Sequence, residues 1–158
     1  MGADFDDFFK SEYPGVYRAA FASCWDEQVA LDATQEAFSR AFARWGRLSK
    51  EAWPGGWVMT TALNVCKRSP SRPLPAETLN GADEPTVDSD LYVDLQAALR
   101  RLPLRQRQAL LLHYIAELPL AAVASLVGCS EGTIKTHLSR GRQSLARELA
   151  PSEGERRL

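Results

Sequence analysis

Hydrophobic residues recur at helical spacing almost from the start of the chain. Phe5, Phe8 and Phe9 lead into Val16, Tyr17, Ala20, Phe21 and Cys24, an i, i+3, i+4 series interrupted at Pro14. An interior proline removes a backbone donor and crowds the preceding turn, so the series predicts two short helices joined at Tyr13-Pro14. Val29, Ala33, Ala37, Phe38, Ala41, Phe42 and Trp45 then form the apolar stripe of a longer helix, from near Asp26 to Leu48. Pro54-Gly55-Gly56 reads as a loop, and Trp57 to Lys67 as a helix that stops before Ser69-Pro70.

The periodicity lapses between Ser69 and Asp90. Pro70, Pro73, Pro75 and Pro85 fall here among few large apolar residues, a composition that cannot bury enough surface to fold alone. Four helical signals follow in quick succession, over 91–101, 104–114, 120–127 and 131–149, with Pro103 and Pro119 where proline is welcome, at helix starts. No β-alternation of useful length occurs. The pattern predicts an all-α fold of two small helical domains, residues 1–68 and 91–150, joined by a flexible linker, residues 69–90, with a disordered tail at 151–158.

Composition sharpens this division. With 158 residues and 45% apolar content, the chain can close two helical cores of modest size. Its net charge of -1 excludes a protein held on DNA by bulk charge alone, but the charge is unevenly spread. Residues 91–149 carry eight basic side chains against four acidic ones, whereas 69–90 carry only Arg72 against Glu77, Asp83, Glu84, Asp88 and Asp90. The C-terminal half is therefore the basic half, and the linker would repel nucleic acid.

Three widely separated cysteines, Cys24, Cys66 and Cys129, contain no CxxC pair, and their odd number argues for reduced thiols over a secreted disulfide framework. No apolar run approaches the roughly 20 residues needed to span a bilayer. The acidic start, Asp4, Asp6 and Asp7, is unlike a signal peptide, so a soluble cytoplasmic protein without membrane contact is expected. No phosphate-binding loop, HExxH or nucleophile elbow occurs, which gives an enzyme no support. His113 and His137 fall on separate helices, at spacings to the cysteines that suggest no metal site; no metal or other cofactor is expected.

The strongest local signal lies between Leu118 and Leu145. Ala124 is small where two helices must approach, Gly128 can take the left-handed conformation that ends the first, and Ser130 can cap the second, which is the punctuation of a helix-turn-helix. At 100° per residue, Ile134, Leu138, Gly141 and Leu145 cluster on one narrow face of the second helix. The remaining arc holds Thr133, Lys135, Thr136, Ser139, Arg140, Arg142 and Gln143, all able to reach phosphates or base edges in a major groove. A solvated polar face on an ordinary helical hairpin has the same pattern.

Leu102-Pro103 through Arg107-Gln108, the spacer ending at Tyr114, and Gly128-Cys129-Ser130-Glu131-Gly132-Thr133-Ile134-Lys135-Thr136 with Arg140 and Arg142 closely resemble region 4 of the extracytoplasmic-function (ECF) group of bacterial RNA polymerase sigma factors. In the N-terminal half, Asp32-Ala33-Thr34-Gln35-Glu36-Ala37-Phe38, with Ala41-Phe42 and Arg44-Trp45, resembles region 2.2. Trp57-Val58 with Ala62 and Asn64 resembles regions 2.3 and 2.4, although the family's following acid and arginine run is here cut to Lys67-Arg68.

This resemblance implies a factor that binds core RNA polymerase, directs it to promoter DNA and assists strand opening. Asp32, Gln35 and Glu36 would dock on the clamp helices of the polymerase's largest subunit. Arg40, Arg44, Trp57, Thr60, Thr61, Asn64, Lys67 and Arg68 would meet the minus-10 element, and Ser130, Gly132, Thr133, Lys135, Thr136, Ser139, Arg140 and Arg142 the minus-35 element. The linker would follow an acidic path near the RNA exit route, and an anti-sigma factor would be a further partner. Two other classes fit the bare pattern: a stand-alone helix-turn-helix regulator, which would bind duplex DNA without polymerase, and a sigma-like adaptor that binds only protein.

Overall fold

The computed structural model describes residues 2–67 and 89–150, and among these it is helical without strands. The N-terminal half consists of α1 (Gly2–Cys24), α2 (Glu27–Ala43), a single turn α3 (Trp45–Leu48) and α4 (Pro54–Lys67). The C-terminal half consists of α5 (Ser89–Arg101), α6 (Leu104–Tyr114), α7 (Leu120–Val127) and α8 (Glu131–Leu149). Two small helical units, one on each side of the proline-rich stretch, are the architecture the periodicity predicts. Most of the expected linker and the expected tail lie outside the described residues.

The expected break at Pro14 is absent. Proline sits inside a continuous α1 of 23 residues. Both Pro14 and Lys10, whose carbonyl loses its helical donor, are exposed, so water can take the place of the missing hydrogen bond. Aromatic packing holds the helix on both sides of the proline: Phe8, Phe9 and Tyr13 all pack against Phe38 of α2, and Tyr13 stacks on Tyr17.

The long second helix also differs from expectation, because it ends at Ala43 and a separate turn carries Trp45 and Leu48 into the core. Asp26 caps α2 by accepting from Val29 N at 3.1 Å. Phe42, assigned to the apolar stripe, is 62% exposed and makes an edge contact with Phe5.

Pro54-Gly55-Gly56 forms the first turn of α4 and not a loop. Proline suits a first turn, where its missing N–H has no helical partner to lose. Gly56 is buried because the C-terminal half packs directly on it: a Cβ there would come within 2.7 Å of Leu118 Cδ1 and Leu126 Cδ1. The two halves consequently share one apolar core, in which Val16, Phe38 and Leu63 are continuous with Leu112, Val123 and Ile134.

Polar contacts seal the junction. Gln108, fully buried on α6, donates Nε2 to Asn64 Oδ1 of α4 at 2.8 Å and accepts from Arg105 Nη1 at 3.1 Å. Arg107 donates Nη1 to the Ser23 carbonyl at the end of α1 at 2.9 Å. Gln108→Ala removes the buried amide and leaves a void, so a loss of about 1–3 kcal/mol is expected. Urea unfolding with intrinsic tryptophan fluorescence measures it, and an unchanged midpoint would show that the junction does not depend on this bond.

Candidate nucleic-acid interface

In the C-terminal half, local chemistry sets the angle between α7 and α8. Gly128 closes α7 in the left-handed region, at φ 88°, and its N–H reaches the Ala124 carbonyl at 2.8 Å. Two residues later Ser130 starts α8, its Oγ accepting from Thr133 N at 3.1 Å. The inner face of α8 presents Ile134, Leu138 and Gly141 to α6 and α7, with Leu145 partly buried behind them, as the angular pattern predicts. Gly141 permits close approach: a Cβ there would meet Leu110 Cδ1 at 2.9 Å.

Burying that face turns the rest of α8 outward. Ser130, Gly132, Thr133, Lys135, Thr136, Ser139, Arg140 and Arg142 are all exposed. Thr136 Oγ1 donates back to the Gly132 carbonyl at 3.1 Å, and Arg142 Nη1 donates to the Tyr114 hydroxyl at 2.8 Å. Arg142 is thus drawn to the flank of the helix over α6, whereas Arg140 stands near the middle of the outward arc. A long exposed helix with hydroxyls, an ammonium and guanidinium groups on one arc has the shape and donors to enter a major groove.

The N-terminal candidates form two groups. Asp32, Gln35 and Glu36 lie together on the exposed side of α2, where Gln28 Nε2 donates to Asp32 Oδ1 at 2.9 Å and Arg40 pairs with Glu36 at 2.6 Å. At the end of α2, the Arg44 guanidinium sits over the Trp57 ring, 4.9 Å from its centroid, joining α2 to α4. Thr61 is partly exposed, its hydroxyl donating to the Trp57 carbonyl at 2.9 Å.

Three minus-10 candidates are placed differently from the rest. Thr60 is 8% exposed and its hydroxyl donates to the Gly56 carbonyl at 2.8 Å, so it packs inside the bundle and offers nothing to a base. Asn64 is half-buried beneath Gln108, its carbonyl oxygen already engaged. Lys67 is exposed, but it lines a cleft between the halves shared with Arg100, Arg101 and Arg107. Arg68 lies outside the described residues.

Gln108 and Arg107 were visible in the sequence only as motif letters. A usable signal existed, since Gln108 stands four residues after Leu104 and four before Leu112, in an otherwise apolar line along α6. A polar residue in such a line implies a buried partner.

Comparison with known proteins agrees with this geometry in both halves. The family described as Sigma-70 region 2 matches residues 8–71, and the one described as Sigma-70, region 4 matches residues 92–145. The chain is similar to the ECF RNA polymerase sigma factor SigM of Mycobacterium tuberculosis, with 29% identity over 150 residues covering 92% of this chain and 76% of that relative. It shares 32% identity over 167 residues with the ECF RNA polymerase sigma factor SigE of Mycolicibacterium smegmatis, covering 95% of this chain and 63% of that one. Its fold resembles that of the sigma factor RpoE, crystallised with the anti-sigma factor NepR from Bartonella quintana, with a TM-score of 0.72 and 24% identity over 92% of this chain and 96% of that one. A stand-alone helix-turn-helix regulator would account for the second region match only. With both regions present, in order and on the helices described, the chain belongs to the ECF group of bacterial RNA polymerase sigma factors.

Proposed function

We propose that the two halves divide the work of promoter recognition, with α8 reading the minus-35 element in duplex form and the α2–α4 face engaging core polymerase and the minus-10 element. The observation that carries this reading is the arc of α8, where all eight candidates are exposed while Ile134, Leu138 and Gly141 are buried. Arg140 and Lys135 are suited to base edges, and Arg142, on the flank, to a phosphate. Ser130 and Thr133, at the first turn, lie where helix N–H groups favour a phosphate.

On the other half, Arg44, Trp57 and Thr61 offer an aromatic plane, a cation and a hydroxyl for single-stranded bases, with Arg40, Lys67 and Arg68 supplying charge along the backbone. Asn64 offers its carbonyl oxygen only when the bond from Gln108 breaks, so full use of this face requires the halves to separate. The chain works in the cytoplasm, performs no covalent chemistry and needs no cofactor in this role. Core polymerase and promoter DNA are its partners, and an anti-sigma protein is a further one. Among the described residues no helix is long and apolar enough to cross a membrane.

Docking on core polymerase falls to Asp32, Gln35 and Glu36, a mixed acid and amide cluster on a rigid helix. Replacing both Gln35 and Glu36 with alanine is expected to weaken core binding about tenfold or more, with helical content unchanged because both side chains point away from the core. Titration of labelled chain with core enzyme reads the affinity, and circular dichroism reads the fold. Wild-type affinity in a folded double variant would remove this surface from the docking site.

A further inference from the structure

The two halves meet beside a pair of thiols. Cys24 closes α1 and Cys66 stands one residue before the end of α4, each 3% exposed and packed with Ala20, Ala30 and Ala33. The two side chains share a hydrogen bond, which holds Cys24 below the ordinary thiol range; the same bond, together with burial, pushes Cys66 up. The Asp26 carbonyl, 3.5 Å from Cys24 Sγ, and the Ala20 carbonyl, 3.8 Å from Cys66 Sγ, are alternative acceptors for the same two thiol protons. Both line a cleft of about 500 Å³ whose other walls include Lys67, Arg100, Arg101 and Arg107. Cationic surroundings favour a thiolate, and a cleft of that size admits a small oxidant.

Arg107 ties this pair to the junction. Its Nη1 holds the Ser23 carbonyl, its Nε is buried with no hydrogen-bond partner among the described residues, and the two sulfurs lie close enough to act on its charge. A buried guanidinium depends on the acceptors that face it. Here one of them is the Ser23 carbonyl, next to Cys24 in the chain.

We infer that Cys24 and Cys66 form a peroxide-oxidisable dithiol whose closure to a disulfide loosens the seating of Arg107, and with it α6, on the N-terminal half. The Cys24 thiolate attacks hydrogen peroxide, forming an S–O bond and breaking the O–O bond, and the departing hydroxide takes up the proton Cys24 had released to become water. Cys66 then gives up its proton and attacks the sulfenic sulfur; the S–S bond forms, the S–O bond breaks, and hydroxide and proton leave as a second water. Two electrons pass from the thiols to the peroxide. Closure draws Cys24 toward Cys66 and with it shifts the adjoining Ser23 carbonyl on which Arg107 is seated. Disulfides in a reducing compartment are short-lived and regulatory, which suits a bond that opens and closes.

The test uses the free full-length chain and does not depend on promoter recognition. Treatment with hydrogen peroxide is expected to lower the thiol count in denaturant from three to one per chain, with a peptide linking Cys24 to Cys66 and no covalent dimer. Dithiothreitol restores three. Amide exchange over Leu104–Tyr114 rises several-fold in the oxidised chain and falls again on reduction. In Cys66→Ser the reaction stops at a sulfenic acid on Cys24, which dimedone labels. Three persisting thiols, or dimers linked through Cys129, would overturn the pairing. An unlabelled Cys24 in Cys66→Ser would overturn its role as the attacking thiol, and a disulfide without faster exchange in α6 would overturn the coupling to Arg107.

Discussion

Ile134→Asp is expected to abolish the fold of the C-terminal half. Ile134 is fully buried in the apolar core, at the point where α8 packs on α6 and α7. An aspartate there must bury an unpaired charge or a protonated acid without partners, and the contacts of the isoleucine side chain are lost as well. The combined cost is about 4 kcal/mol or more, set against a total stability of roughly 5–15 kcal/mol for a domain. The expected result is loss of the helical signal belonging to α5–α8 in circular dichroism, with no promoter-dependent transcription. Ile134→Val is the control, costing about 0.5–1.5 kcal/mol and leaving both intact. A cooperatively folded Ile134→Asp chain would mean that α8 is not seated by this face.

Arg140→Ala and Arg142→Ala, by contrast, are expected to leave the fold intact and to separate reading DNA from touching it. Both side chains are exposed on α8, so neither truncation opens a cavity. Arg140, near the middle of the outward arc, is placed for a bidentate base contact, whose loss costs about 1–3 kcal/mol and relaxes specificity at one position. That cost corresponds to roughly 5- to 150-fold in affinity at that base pair. Arg142 is drawn aside by the Tyr114 hydroxyl at 2.8 Å, a position suited to the phosphate backbone. Its loss is expected to weaken all promoters alike and to flatten the salt dependence by about one counterion. Gel-shift titrations of polymerase holoenzyme against single-base variants of the minus-35 element, at several salt concentrations, distinguish the two patterns. Identical effects of both substitutions across every base variant would remove base reading from Arg140.

The C-terminal half was legible in the sequence because its punctuation is local. Pro103, Pro119, Gly128 and Ser130 fix the ends of α6, α7 and α8 through capping and backbone conformation alone, and those helices run as the periodicity predicts. The N-terminal half departs where tertiary packing overrides a local rule. Pro14 is carried through α1 because aromatic rings brace the helix on both sides, and Gly56 enters α4 because Leu118 and Leu126, far along the chain, need the space. The candidate sites divide in the same way. Exposure of the α8 arc follows from a single helix and its period. The engagement of Asn64 by Gln108, 44 residues away, and of Ser23 by Arg107, 84 residues away, depends on how two helical units dock, for which one sequence carries no pattern. The apposition of Cys24 and Cys66 is likewise tertiary, though it arises within the N-terminal half, since thiols that read as isolated in the sequence become neighbours only when α1 and α4 align.

Transcription reconstituted from purified core polymerase, with and without this chain, tests the central claim most directly. With the chain present, core enzyme is expected to start at a defined site on promoter DNA, and on a template with a scrambled minus-35 element the start is lost; core alone gives no specific start. Sequence-specific binding of duplex promoter DNA by the chain alone, with no initiation when core polymerase is added, would contradict the account.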